Sequence, residues 1–113
     1  MTVTIFLASA LICIADQCHP ALVGRATPVG SFPLVQRFVQ ARGYGGDVLQ
    51  FADTPTGLLA IHRVWLGRPA QRRAQRLASG DAGQRRDVTD GCVNVMPAVY
   101  EAILGASQIE IRP

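Results

Sequence analysis

The sequence contains no lysine, few aromatic side chains and no apolar run of membrane-spanning length. All 11 basic residues are arginine, aromatic residues make up 6% of the 113 positions, and the formal net charge is +3. The apolar stretch at residues 3–15 is shorter than the roughly 20 residues that cross a bilayer, so no membrane span is expected. It also lacks the basic beginning of an ordinary export signal, and its β-branched residues predict buried strands instead.

The arginines are concentrated in one part of the chain. Trp65 is the only aromatic residue among them and no nucleic-acid-binding motif accompanies them, so a nucleic-acid partner is not expected. The arginines form either a solvated helix face or a patch that binds anionic groups such as peptide carboxylates, and both interpretations stay open. The seven arginines are Arg63, Arg68, Arg72, Arg73, Arg76, Arg85 and Arg86.

The length and patterning predict one domain, residues 1–113, that is mainly β with two short helices. Alternating and β-branched runs predict the strands, and Pro69 with the Ser-Gly pair at residues 79–80 marks a helix. Strands are predicted at residues 3–7, 11–14, 17–23, 32–40, 47–52, 57–62 and 108–112. Helices are predicted at residues 69–78 and 97–104, with a polar loop at residues 81–87.

A tight hairpin between residues 11–14 and 17–23 would place Cys13 opposite Cys18. That separation suits a disulfide, which would indicate an oxidising compartment, but two free thiols are equally compatible with the sequence. With His19 these cysteines supply only three ligands in a spacing that fits no common zinc pattern, so neither a metal nor a cofactor is expected.

Cys92 and His62 are the candidates for chemistry. A cysteine nucleophile needs a base for its proton and donors for the oxyanion that forms on attack. Gly91 permits close backbone approach, so the amides of Gly91 and Cys92 are candidate donors. His62 ends a predicted strand, whereas His19 is interpreted as structural. Taken alone, a cysteine and a distant histidine are a weak signal.

Three segments strengthen that signal. Residues 60–62 read Ala-Ile-His, residues 89–94 read Thr-Asp-Gly-Cys-Val-Asn, and residues 24–32 read Gly-Arg-Ala-Thr-Pro-Val-Gly-Ser-Phe. In order and approximate spacing they resemble the L,D-transpeptidase (YkuD-type) catalytic domain. That family has a strand-ending histidine, a Ser/Thr-His-Gly-Cys-x-Asn/Arg segment and a Gly, Thr-Pro-x-Gly-x-Phe element. The resemblance runs from about residue 3 to residue 104 and implies an L,D-transpeptidase-like β-barrel or sandwich.

The resemblance also implies roles for individual residues. Cys92 would attack a peptidoglycan stem tetrapeptide and release D-alanine, with His62 as its base. Thr89 would orient the histidine, the amides of Gly91 and Cys92 would bind the oxyanion, and Asn94 would support the loop or the substrate. The thioester would pass to an amine, in cross-linking or D-amino-acid exchange, or to water, in L,D-carboxypeptidase activity.

Two features depart from the family's pattern. Asp90 stands in place of a histidine, and its charge opposes thiolate formation unless Arg63, Arg85 or Arg86 pairs with it. The interval from His62 to Thr89 is also longer than the family's.

The excess is the arginine-rich segment, which is interpreted either as a lid-like insertion over the cleft or as a surface helix. As a lid it would bind stem-peptide carboxylates through Arg72, Arg73 or Arg76. The candidate substrate-binding residues are therefore Asp90, Asn94, Arg63, Trp65 and Arg72.

The main alternative is a non-catalytic peptidoglycan-binding or interaction module that kept the fold. A papain-like amidase is disfavoured because its cysteine would precede its histidine. The Asp-Gly-Cys variant and the missing export signal are similar to short effectors of this family that type VI secretion delivers. That similarity implies the periplasm or cell envelope of the producer or of a target cell. It also implies a secretion-system component or an immunity protein as a partner.

Overall fold

The regular structure consists of nine strands, three α-helices and one 3₁₀ turn within residues 1–39, 46–55 and 57–113, which the computed structural model describes. The strands are β1 (Thr2–Phe6), β2 (Leu11–Ile14), β3 (Gln17–Pro20), β4 (Gly30–Pro33), β5 (Val35–Phe38), β6 (Asp47–Thr54), β7 (Gly57–Arg63), β8 (Val93–Val95) and β9 (Gln108–Arg112). The helices are α1 (Arg73–Ala78), α2 (Ala82–Arg85) and α3 (Pro97–Ala102), and the 3₁₀ turn is Pro69–Gln71. The prediction of a mainly β domain is confirmed.

The strands form two sheets. One has the order β3-β2-β1-β9-β4 and the other has the order β5-β6-β7-β8. β1 pairs with β9 and β7 pairs with β8 in parallel, while the remaining neighbours are antiparallel. Alternate apolar residues of both sheets are buried in one cluster, for example Ile5 and Ile109 from the first sheet and Leu49 and Ile61 from the second. This shared core holds β7 and β8, which carry the candidate site, in a fixed register.

The hairpin of β2 and β3 has the predicted register. Cys13 lies opposite Cys18, and their sulfur atoms form a disulfide. Of the two alternatives for Cys13 and Cys18, the structure shows the disulfide. The structure describes all three cysteines, and Cys92 is the one with a free thiol.

Two predicted strands are longer than the observed ones. The prediction for residues 17–23 is wrong beyond Pro20, because the chain there leaves the first sheet. Leu22 instead exchanges backbone hydrogen bonds with Asn94 at 2.8 and 2.9 Å. The predicted strand at residues 32–40 is interrupted at Leu34, and residue 40 lies outside the described residues. Pro33 cannot donate a ladder hydrogen bond, and buried Leu34 marks the corner where the chain passes from one sheet to the other.

The arginine-rich insertion, which lies between His62 and Thr89, contains more helical structure than predicted. The single helix expected at residues 69–78 is divided by Arg72, which has a left-handed backbone at φ 53°. The loop expected at residues 81–87 contains α2, whose first turn is capped by the Asp81 carboxylate accepting from the Gly83 amide at 2.9 Å. Among the described residues, no helix has both the length and the apolar character needed to span a membrane.

Candidate active site

The candidate site lies where β7 runs beside β8. His62 is the register partner of Asn94 in this parallel pair, and Cys92 directly precedes β8. Residues two apart on a strand share a face, so Cys92 and Asn94 project to the side on which His62 lies. Strand spacing and rise place such diagonal neighbours about 8 Å apart between Cα atoms, which is within side-chain reach.

Cys92 and His62 open into one cleft of about 590 Å³. Thr89, Asp90 and Trp65 also line it, so the structure brings most of the predicted site residues together. The arginine-rich insertion forms one wall through Arg68, Gln71 and Arg73, and the β6–β7 hairpin forms another through Thr54, Gly57, Leu58 and Leu59.

The loop that carries Cys92 is fixed by the early Gly-Thr-Pro segment. Thr27 is buried, and its hydroxyl accepts from the Gly24 amide at 3.0 Å and donates to the Gly91 carbonyl at 2.9 Å. Gly24 packs so closely on Thr89 that an added Cβ would lie 2.1 Å from its carbonyl oxygen. The segments that the sequence separates by more than sixty positions are thus direct neighbours.

Gly91 is required by its own geometry. Its φ is 132°, a region that side chains disfavour, and a Cβ would lie 2.8 Å from the Leu59 side chain. Its amide donates to the Thr89 hydroxyl at 3.1 Å, and that hydroxyl donates to the Cys92 carbonyl at 2.5 Å. The Gly91 amide is therefore occupied in this structure, and this corrects the expectation that it is available to an oxyanion.

His62 is oriented by the chain that follows it. Its Nδ1 donates to the Arg63 carbonyl at 2.7 Å, so Nε2 is the nitrogen that can accept a proton. The backbone carbonyl that orients the imidazole therefore belongs to Arg63, whereas Thr89 was predicted for this role. The Thr89 side chain instead forms hydrogen bonds within the Cys92 loop. Burial lowers the pKa of His62 to about 4, and the Arg73 charge also lowers it. The imidazole is neutral at pH 7.

Cys92 has a partly buried thiol. Its Sγ donates to the Leu58 carbonyl at 3.6 Å. Burial is the main cause that raises the pKa of the Cys92 thiol, and the Asp90 carboxylate adds to it. A backbone hydrogen bond from Ala60 and the positive charge of Arg73 act in the opposite direction.

Asn94 is fully buried beneath the cleft and links several of these groups. Its Oδ1 accepts from Arg73 Nη1 at 2.9 Å and from the Trp65 amide at 3.4 Å. Its Nδ2 consequently faces His62 Nε2 at 3.4 Å. Asn94 therefore supports the histidine from inside the protein rather than lining the cleft surface.

Two predicted substrate-binding arginines lie away from the cleft. Arg63 projects to the opposite face of β7, where it pairs with Asp47 at 2.7 Å and Glu101 at 3.0 Å and stacks on Tyr100. Arg72 is exposed and does not line the cleft, because the left-handed turn at this position presents Arg73 there instead.

The arginines predicted to compensate Asp90 are engaged elsewhere. Arg63 is paired as described, buried Arg85 donates to the carbonyls of Ala10, Ser9 and Ser79, and Arg86 donates to the Ala8 carbonyl. The arginine whose charge acts on Asp90 is Arg73, which lines the same cleft and which no sequence feature distinguished from its neighbours. Arg85 also ties the insertion to the β1–β2 turn.

The described residues contain no group of three or more His, Cys, Asp or Glu side chains arranged to hold a metal ion. The disulfide removes Cys13 and Cys18 from the thiolates that a metal could use.

The structure is similar to solved L,D-transpeptidases. L,D-transpeptidase 3 from Mycobacterium tuberculosis, in complex with a faropenem-derived adduct, has a TM-score of 0.64 and 14% identity over 99% of this chain and 60% of that one. An L,D-transpeptidase from Xylanimonas cellulosilytica has a TM-score of 0.60 and 16% identity over 97% and 59% of the two chains. One from Stackebrandtia nassauensis has a TM-score of 0.56 and 15% identity over 99% and 56%.

These likenesses establish that the chain has the L,D-transpeptidase fold. The chain spans about three-fifths of the length of the structures it matches. No family model and no curated protein matches the sequence.

Proposed function

We propose that this domain is a peptidoglycan-modifying cysteine acyltransferase of the L,D-transpeptidase type, with Cys92 as nucleophile and His62 as base. The observation that carries the proposal is the placement of these two side chains on one face of adjoining strands, in one cleft, on this fold. The proposed substrate is the stem tetrapeptide of peptidoglycan.

In the proposed reaction, the Cys92 sulfur attacks the carbonyl carbon of the third, L-centred residue. Because the resting thiol and imidazole are both neutral, the thiol proton moves to His62 Nε2 as the carbon–sulfur bond forms, and it displaces the 3.4 Å contact between Nε2 and the Asn94 amide. Collapse of the tetrahedral intermediate breaks the bond to D-alanine, and the departing amine takes the proton from His62. An amine or water then attacks the thioester carbonyl and gives a proton to His62. The carbon–sulfur bond breaks, and the departing sulfur takes that proton from His62 to restore the thiol.

The donors for the oxyanion come from the backbone near the sulfur. The Gly91 amide is held by Thr89, so the amide of Cys92 itself is the candidate donor in this proposal. Thr89 fixes the loop in which that amide lies, and Trp65 and Asp90 form the part of the cleft wall that meets the peptide.

The proposed substrate places the protein in the periplasm or cell envelope. The Cys13–Cys18 disulfide supports this location, because such bonds persist in oxidising compartments. Delivery by a secretion system and an immunity partner remain predictions from the sequence resemblance.

The test is incubation with a disaccharide tetrapeptide, with and without D-methionine, followed by mass analysis of the products. Loss of D-alanine indicates carboxypeptidase activity, a methionine-containing tetrapeptide indicates exchange, and a dimer indicates cross-linking. We expect Cys92→Ala to abolish turnover and His62→Ala to reduce it roughly 100-fold or more.

A faropenem adduct on Cys92, found by peptide mapping, would locate the nucleophile independently of turnover. Products formed equally by Cys92→Ala and the wild type would overturn the proposal. A wild-type protein that binds the tetrapeptide without converting it would favour the non-catalytic module.

A further inference from the structure

We propose that Arg73 is a positioning residue that couples the arginine-rich insertion to the Cys92–His62 pair. It would do so by holding Asn94 against the histidine and by placing a positive charge beside the thiol. The consequence for turnover rests on the proposed function, whereas the effect on the thiol does not.

The guanidinium of Arg73 is held from several directions. Nη1 donates to Asn94 Oδ1 at 2.9 Å, and Nε donates to Gln71 Oε1 at 2.9 Å. The guanidinium carbon lies 5.6 Å from the centre of the Trp65 ring, within the range of a cation–π contact. These contacts fix a half-buried charge at the cleft wall.

The contact between Arg73 and Asn94 determines which side of the Asn94 amide faces His62. A side-chain amide presents an acceptor on one side and a donor on the other. Because Arg73 and the Trp65 amide both donate to Oδ1, the donor side of Asn94 faces His62 Nε2. The reversed amide would set Oδ1 against the lone pair of Nε2 and its NH₂ group against the guanidinium, so Arg73 disfavours that state.

The positive charge of Arg73 offsets the negative charge of Asp90, which lines the same cleft. The charged or titratable groups that line the cleft with Cys92 are Asp90, Arg68, Arg73 and His62. His62 is neutral at pH 7, and Asp90 opposes the thiolate. Arg73 opposes Asp90, and its partial burial leaves that charge less screened than one in open water.

The test compares Arg73→Gln and Arg73→Lys with Arg72→Gln, which removes a neighbouring arginine that is exposed and outside the cleft. The measurement is the rate at which iodoacetamide alkylates Cys92 across a pH series. The native protein is used with its disulfide closed, so Cys92 is the reacting thiol. Thermal melts establish that each variant is folded at the assay temperature.

We expect Arg73→Gln to move the alkylation profile to higher pH and to lower the rate at pH 7 roughly three- to tenfold. Arg73→Lys keeps the positive charge but replaces the forked N–H donors of the guanidinium with one ammonium group. It should therefore alkylate within about twofold of the wild type while losing turnover, because a single ammonium nitrogen does not reproduce the separate Nε and Nη1 donors that contact Gln71 and Asn94. Arg72→Gln should match the wild type in both measurements.

An unchanged profile for Arg73→Gln, or an equal shift in Arg72→Gln, would overturn the inference. If Arg73→Gln is unfolded, Arg73→Lys decides, and alkylation slowed more than fivefold or full turnover in that variant would overturn the inference. Alkylation needs no peptidoglycan substrate. A wild-type protein without turnover would therefore count against the proposed function while the alkylation comparison still tests the charge of Arg73.

Discussion

Replacing Thr27 by valine is the sharpest test of how the Cys92 loop is held. The substitution keeps the branched shape and removes one hydroxyl. That hydroxyl is buried and satisfies two backbone groups, the Gly24 amide at 3.0 Å and the Gly91 carbonyl at 2.9 Å. Valine would leave both groups without this partner.

The magnitude follows from those two groups. A buried backbone group left without a partner costs about 1–3 kcal/mol, so the two together should reduce the free energy of unfolding by about 2–6 kcal/mol. For a domain of 113 residues, the entropy of unfolding converts this loss into a melting temperature lower by about 8–24 °C. Gly91 directly precedes Cys92, so the reactivity of the Cys92 thiol should change as well.

The assay is thermal unfolding followed by circular dichroism, with urea unfolding at 25 °C as an independent measure. Thr27→Ser is the matched control, because it keeps the hydroxyl and loses only a methyl group, at a cost of about 1 kcal/mol. A Thr27→Val protein that melts within 2 °C of the wild type, or above Thr27→Ser, would refute the assigned role of the hydroxyl.

Two further predictions concern stability. The pKa of His62 in the folded protein, about 4, lies below the ordinary 6.5, so the unfolded chain takes up this proton first as the pH falls. The free energy of unfolding should therefore decline by about 3 kcal/mol between pH 6.5 and 4. His62→Gln should remove that part of the slope in urea unfolding, and an unaltered slope would contradict the assignment. Reducing the Cys13–Cys18 disulfide opens a short loop and should lower the free energy of unfolding by about 2 kcal/mol. Urea midpoints that coincide with and without reductant would exclude this contribution.

The parts of the fold that could be predicted are those with strong local signals. The break at residues 15–16 predicted a tight hairpin, and the register of that hairpin placed Cys13 opposite Cys18. His62 and Cys92 were identified from short segments whose residue order resembles a known family. In each case the determining interaction lies between residues close in sequence or within a recognisable motif.

The parts that could not be predicted depend on single backbone angles. Arg72 adopts φ 53° without a glycine to indicate it, and this turn decides that Arg73 rather than Arg72 enters the cleft. At the Leu34 corner, Pro33 could indicate a break in the strand, but the passage from one sheet to the other depends on pairing with β9 and β6, which are distant in sequence. Asp90 was expected to pair with Arg63, Arg85 or Arg86, whereas the arginine whose charge acts on it is Arg73, and composition cannot choose among arginines of one segment.

The charge of Arg73 acts on both members of the proposed Cys92–His62 pair. It lowers the pKa of the Cys92 thiol, which favours the thiolate, and it lowers the pKa of His62, which disfavours the imidazolium. For an ion pair between the two groups these effects oppose each other, whereas for a thiolate beside a neutral imidazole only the favourable one applies. Because burial still raises the pKa of the Cys92 thiol overall, the resting sulfur keeps its proton, and in the proposed reaction that proton passes through His62 without remaining there, consistent with an imidazole that is neutral above about pH 4.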